Sequence, residues 1–91
     1  MKRKLDLMDF ARLEEAAECL KAIAHPIRLR MLDIMMQGEF TVGEIARMCG
    51  LPHHQACGHL RLLESHRLLA SARRGRSVYY SLAHPSLSAF Q

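Results

Sequence analysis

Residues 69–82 read LASARRGRSVYYSL, and they follow a helical stretch over residues 51–64, LPHHQACGHLRLLE. In the first stretch Leu69, Val78, Tyr79, Tyr80 and Leu82 favour extended backbone. They flank Arg73-Arg74-Gly75-Arg76, where the glycine supplies a turn. The pattern predicts two short strands joined by a tight basic loop. In the second stretch Ala56, Leu60 and Leu63 recur at steps of four and three, which turns them to a core and leaves His53, His54, Cys57, Gly58 and Arg61 outward. A helix followed by an arginine-tipped hairpin is the layout of a winged helix-turn-helix, and it points to DNA binding rather than catalysis.

The residues upstream complete that layout. Thr41-Val42-Gly43-Glu44 has the form of a capping box, in which the Thr hydroxyl and the Glu carboxylate satisfy backbone donors at each other's ends. It opens a short helix from Val42 to Cys49, packed through Ile45, Ala46 and Cys49; Gly50 breaks it, Leu51 plugs the turn and Pro52 starts the next helix. Two short helices with Gly in the turn between them form a helix-turn-helix. An earlier helix begins at Pro26, whose missing N–H costs nothing in a first turn, and stops at Gly38. Its apolar residues lie on more than one face, which places it at the centre of the domain. Met31, Met35 and Met36 read as core filler rather than a copper site. Asp6 or Asp9 can cap a first helix, whose apolar positions Phe10, Leu13, Ala16, Ala17, Leu20 and Ile23 fall at helical spacing. The expectation is one mainly α domain over residues 1–91, with about five helices and a two-stranded wing. The helix-turn-helix would occupy residues 42–64 and the wing residues 69–82.

Ninety-one residues hold one domain with a small core, and sharing apolar surface in a dimer is the natural remedy. No apolar run approaches the ~18 residues of a membrane span, and Asp6 and Asp9 interrupt the basic start, so no secretory signal is expected and the chain reads as cytoplasmic. The charge is unevenly placed. Residues 1–50 balance eight Lys/Arg against eight acids, whereas residues 51–91 set five arginines against Glu64 alone, so the whole net charge of +4 sits in the second half. Five of the six histidines lie there too. Such a field attracts phosphate and is the footprint of a nucleic-acid binder.

Within that half the exposed start of the second helix of the helix-turn-helix, the reading helix, would enter the major groove. His53, His54 and Gln55 would reach base edges there, with Gln favouring adenine and Arg61 favouring guanine or phosphate. Gly58 is unusual in mid-helix and costs about 1 kcal/mol against Ala, which either close approach of a backbone or tight packing on the wing would explain. Arg73, Arg74 and Arg76 suit phosphate or the minor groove. Thr41, Cys57 and His59 complete the expected interface, with a scaffold role for His59 weighed against contact; His66 is as readily scaffold as ligand.

Three segments together resemble the ArsR/SmtB family of small bacterial winged-helix repressors: residues 21–32, KAIAHPIRLRML; residues 58–63, GHLRLL; and residues 75–82, GRSVYYSL. The resemblance covers roughly residues 20–82 in unbroken order. It implies a homodimer built on the first and last helices, here residues 6–24 and 84–91, that binds an inverted-repeat operator in double-stranded DNA and is released by an inducer. Cys57 stands where the family usually has Ser.

The family's metal sites lack ligands in this sequence. Thr41 and Gly43 occupy the positions of the arsenic-type thiolates, and neither side chain ligates soft metals. The zinc-type site needs an acid and several His on a long last helix, and residues 84–91 offer His84 alone. The cadmium/lead type needs two cysteines one turn apart, and Cys57 is followed one turn on by Arg61. No metal, no other cofactor and no membrane partner is expected, and the inducer is not identified. Cys19, Cys49 and Cys57 show no metal-type spacing and, being odd in number, do not suggest a disulfide framework. Cys57, near Arg61 and the histidines, is a candidate oxidisable thiol, with Cys49 as a possible partner. Cys49 falls inward and Cys57 outward by periodicity, so pairing them would require movement to bring the α-carbons within about 7 Å. The competing reading is that all three are structural.

Two other functions compete with DNA binding. A winged helix serving protein–protein assembly without DNA binding would lack the basic excess seen here. A hydrolase or metalloenzyme built on His53, His54 and His59 has neither an H-E-x-x-H pattern nor a nearby acid other than Glu64.

Overall fold

The computed structural model describes residues 5–83. Its elements, in chain order, are α1 (Phe10–Ile23), α2 (Pro26–Met35), β1 (Phe40–Thr41), α3 (Val42–Cys49), α4 (His53–Ser65), β2 (Leu69–Arg74) and β3 (Ser77–Leu82). The last helix expected over residues 84–91 lies outside the described residues, so four helices rather than five are in view. The wing is also larger than expected. β1 pairs antiparallel with β3, giving a three-stranded sheet in the order β1-β3-β2. Phe40 stands opposite Tyr80, and Thr41 opposite Tyr79. A strand of two residues carries no alternation for the sequence to display.

Local signals set most of the boundaries. Pro26 opens α2, and the His25 ring caps it, its Nδ1 accepting from the Ile27 amide at 3.1 Å. Asp9 occupies the N-cap position of α1, but its side chain makes no capping bond. Thr41 and Glu44 close the full capping box at the start of α3. Gly50 ends that helix in the left-handed region at φ 66°, where a side chain would be strained, and the Leu51 amide reaches back to the Ala46 carbonyl at 2.9 Å. The hairpin turns on Gly75 at φ 62°, between Arg74 and Ser77, which face one another.

The core lies where α2, α3, α4 and the sheet meet. Met31, Ile45, Leu60 and Leu63 are fully buried, joined by Met35, Ala56, Leu69 and Tyr80. Met36 departs from the expected core role and is 66% exposed. α1 stands apart: among its residues only Ala22 is buried, while Phe10, Leu13 and Leu20 are 73%, 45% and 64% exposed. Among the described residues nothing covers the apolar stripe of this amphipathic helix.

Candidate nucleic-acid interface

The outward side of α4 is held by its inward one. Ala56, Leu60 and Leu63 are wholly buried, which fixes the helix's rotation and leaves His53, His54, Gln55, Gly58 and Arg61 exposed. No side chain caps the first turn, since Pro52 stands at the N-cap. The positive end of the helix dipole is therefore unscreened by protein, as suits a phosphate. Cys57 is half-buried, its Sγ 3.6 Å from His53 Nδ1, one turn away on the same face.

A cleft of about 440 Å³ runs between the start of α3, the outer face of α4 and the first half of β3. It brings together five residues expected at the interface: Thr41, His53, Cys57, Arg61 and Arg76. His54, Gln55, Gly58 and Arg73 are exposed beside it without lining it. Thr41 is committed to its helix: its amide donates to Glu44 Oε1 at 2.8 Å, and its Oγ1 accepts from the Glu44 amide at 3.1 Å. The Thr41 amide, and after it the Thr41 hydroxyl donating to the same oxygen at 3.1 Å, hold the Glu44 carboxyl below the usual carboxylate range.

The three wing arginines are not equivalent. Arg73 and Arg76 are exposed and form no ion pair among the described residues. Arg74 pairs with Glu39 and lies over the Tyr79 ring at 4.1 Å from its centre. Its charge is therefore partly spent within the chain, and its position is fixed by two contacts. Glu39, 35 residues from Arg74 in sequence, carries no signal for this pairing.

His59 is also placed away from the cleft. Its ring is half-buried, 4.9 Å from the His25 ring, and Arg28 Nη1 lies 3.2 Å from its Nδ1. The Arg28 Nε in turn donates to the Ala22 carbonyl. This cluster ties the end of α1 and the start of α2 to the inner side of α4, so the scaffold role weighed for His59 is the one its contacts support. Gly58 is likewise clarified. A Cβ at that position would meet nothing within 4 Å, so packing against the wing does not explain the glycine.

The cysteines are free thiols and do not converge. Cys49 packs against the core, where burial raises its pKa in spite of Arg30 nearby. Cys19 Sγ lies 3.6 Å from the His66 carbonyl. Among the described residues no group of three or more His, Cys, Asp or Glu is placed to hold a metal ion. Among them, too, no helix is long and apolar enough to cross a membrane.

Comparison with known proteins places this geometry. No family model matches the chain. Individual proteins do. A homologue of the transcriptional repressor SmtB from Synechocystis is 35% identical over 78 residues, covering 86% of this chain and 59% of that protein's length. The transcriptional repressor SdpR of Bacillus subtilis is 34% identical over 62 residues, 68% of this chain and 69% of SdpR. Among solved structures, the homodimeric winged helix-turn-helix DNA-binding domain of a possible ArsR-family regulator from Mycobacterium bovis superposes with a TM-score of 0.82 at 32% identity, covering 99% of this chain and 82% of that one. The chain belongs to the ArsR/SmtB family. These relatives are named as transcriptional repressors and a winged helix-turn-helix DNA-binding domain, which speaks against the hydrolase reading of the histidines. This ArsR/SmtB chain spans about three-fifths of the length of the SmtB homologue it matches.

Proposed function

We propose that the chain is a homodimeric repressor that binds an inverted-repeat operator in double-stranded DNA and leaves it when an inducer or a thiol modification intervenes. The cleft shared by His53, Cys57, Arg61 and Arg76 carries this reading, because it joins the outer face of α4 to the wing on one side of the domain. His53, His54 and Gln55 meet base edges, Arg61 meets guanine or phosphate, and Arg73 and Arg76 meet the backbone or the minor groove. Arg74 serves as a buttress of the wing, and Thr41 and Cys57 border the contact. Residues 1–91 act as one domain, and the copies join through α1 together with residues 84–91. The exposed stripe of Phe10, Leu13 and Leu20 supports that seam, as does the homodimeric state of the Mycobacterium bovis domain. Two reading helices then lie about one DNA turn, roughly 34 Å, apart. The setting is cytoplasmic.

Of the two thiols proposed for sensing, Cys57 suits the role. It lines the cleft next to His53, so any group added to its sulfur occupies space that DNA would fill. Cys49, packed against the core and with its thiolate disfavoured, does not. The test is fluorescence anisotropy on duplexes from the protein's own upstream region, in EDTA, with reduced and peroxide-treated protein. Binding lost on oxidation and regained with reductant supports the thiol; binding indifferent to oxidation leaves the repressor and removes the thiol. Absence of binding in both states would favour protein–protein assembly, a reading that the relatives' names do not support.

A further inference from the structure

Glu64 is the one acid among residues 51–91. In a DNA-binding half its charge works against phosphate, so its presence calls for another explanation. Its carboxylate reaches from the end of α4 to both strands of the wing. Oε2 accepts from the Ser71 hydroxyl at 2.7 Å, and Oε1 accepts from the Tyr80 hydroxyl at 3.3 Å. Ser71 and Tyr80 are direct partners across β2 and β3, so a single side chain grips both strands at one rung of the ladder. Tyr80 is 5% exposed, and burial together with the Glu64 charge raises its pKa, which keeps its hydroxyl a donor. Beyond its ladder with β3 and the Arg74 contacts at its far end, β2 has little side-chain anchorage. Leu69 is buried, and every later residue of the strand is exposed. Ser71 is two residues from Arg73.

We infer that Glu64 is a positioning residue that locks the wing at a fixed attitude to the reading helix, so that Arg73 and Arg76 engage the backbone while α4 lies in the groove. The inference rests on the DNA-binding reading above. It makes the sign of a mutation informative: if charge alone mattered, removing Glu64 would tighten binding, whereas loss of the lock weakens it.

The experiment measures operator affinity across a salt series for the full chain, for Glu64→Ala, for Glu64→Gln, and for Glu64→Ala combined with Arg73→Ala and Arg76→Ala. Folding is checked by circular dichroism. Glu64→Ala is expected to bind several-fold more weakly, with its salt slope reduced by roughly the 0.9 per lost phosphate contact. Glu64→Gln keeps an acceptor for Tyr80 and offers Ser71 a donor without the charge, and restores binding to at least the original level. In the background lacking Arg73 and Arg76, Glu64→Ala should change nothing further, because residues acting through the same contact are not additive. If Glu64→Ala fails to fold, Ser71→Ala with Tyr80→Phe removes the same bonds from the other side and is expected to flatten the slope equally. Binding by Glu64→Ala that is unchanged or tighter overturns the inference, as does an equal loss with and without the wing arginines. A parent chain that binds no duplex overturns the DNA-binding reading itself and takes this one with it.

Discussion

Arg28 and His59, on α2 and α4, face each other with Arg28 Nη1 3.2 Å from His59 Nδ1. A guanidinium only donates, so Nδ1 must be the accepting nitrogen and the ring must be neutral with its proton on Nε2. Burial first, then His25 and Arg28, lower the His59 pKa below its ordinary 6.5. As pH falls below that value the unfolded chain takes up a proton that the folded chain resists. Stability is therefore complete above the ordinary histidine range and declines on acidification, until the pH passes the lowered folded value. Thermal melts between about pH 7.5 and pH 5.5 should show Tm falling in the parent and falling less in His59→Gln. Parallel losses in the two proteins would sink this account.

The capping box gives a prediction of opposite kind. Thr41→Ala removes the acceptor for the Glu44 amide and should destabilise the chain by about 1 kcal/mol. Glu44 titrates low because Thr41 donates to it, from the backbone first and then from the hydroxyl. A depressed carboxyl contributes stability above the ordinary range and loses it as pH falls through the folded value. NMR titration should find the Glu44 pKa moved upward in Thr41→Ala. An unmoved value would mean that the backbone bond alone sets it.

How much of this was legible beforehand follows from the range of each signal. The helix-turn-helix, the capping box and the hairpin announce themselves within a few residues, through a cap, a glycine or an alternation, and the structure repeats them nearly to the residue. β1 was too short to show a period, although its partners Tyr79 and Tyr80 sat in a recognised strand. The contacts that sort the site residues were hidden for another reason. Glu39 meets Arg74 across 35 positions, and Arg28 meets His59 across 31. Such pairs exist only once the helices have packed, so three nearby arginines read alike in the sequence, and scaffold and contact roles for His59 stay open there.

Gly58 separates stability from function. Nothing lies within 4 Å of the place a Cβ would take, so Gly58→Ala should raise stability by about 0.5–1 kcal/mol through helix propensity. On the DNA-binding reading the same methyl stands where the duplex approaches, so operator affinity should fall while Tm rises. Denaturant unfolding and anisotropy on one preparation decide it. Equal affinity with higher Tm would show that DNA keeps its distance from this turn of the helix.

The wing arginines divide into two kinds of loss. Arg73 and Arg76 form no ion pair among the described residues, so replacing both with Ala should lower the slope of log affinity against log salt by roughly 0.9 for each phosphate no longer neutralised. Arg74 already shares its charge with Glu39 and its plane with Tyr79. Arg74→Ala should therefore leave that slope nearer its original value and act instead on the wing, because it removes the link between β2 and the segment leading into β1. Hydrogen exchange of the β2 and β3 amides would register it as faster opening. Lysine at position 74 keeps a charge for Glu39 but loses the planar stack, and should restore only part of the protection. A full loss of slope from Arg74→Ala, equal to that from Arg73→Ala or Arg76→Ala, would mean that its pairing with Glu39 gives way when DNA binds.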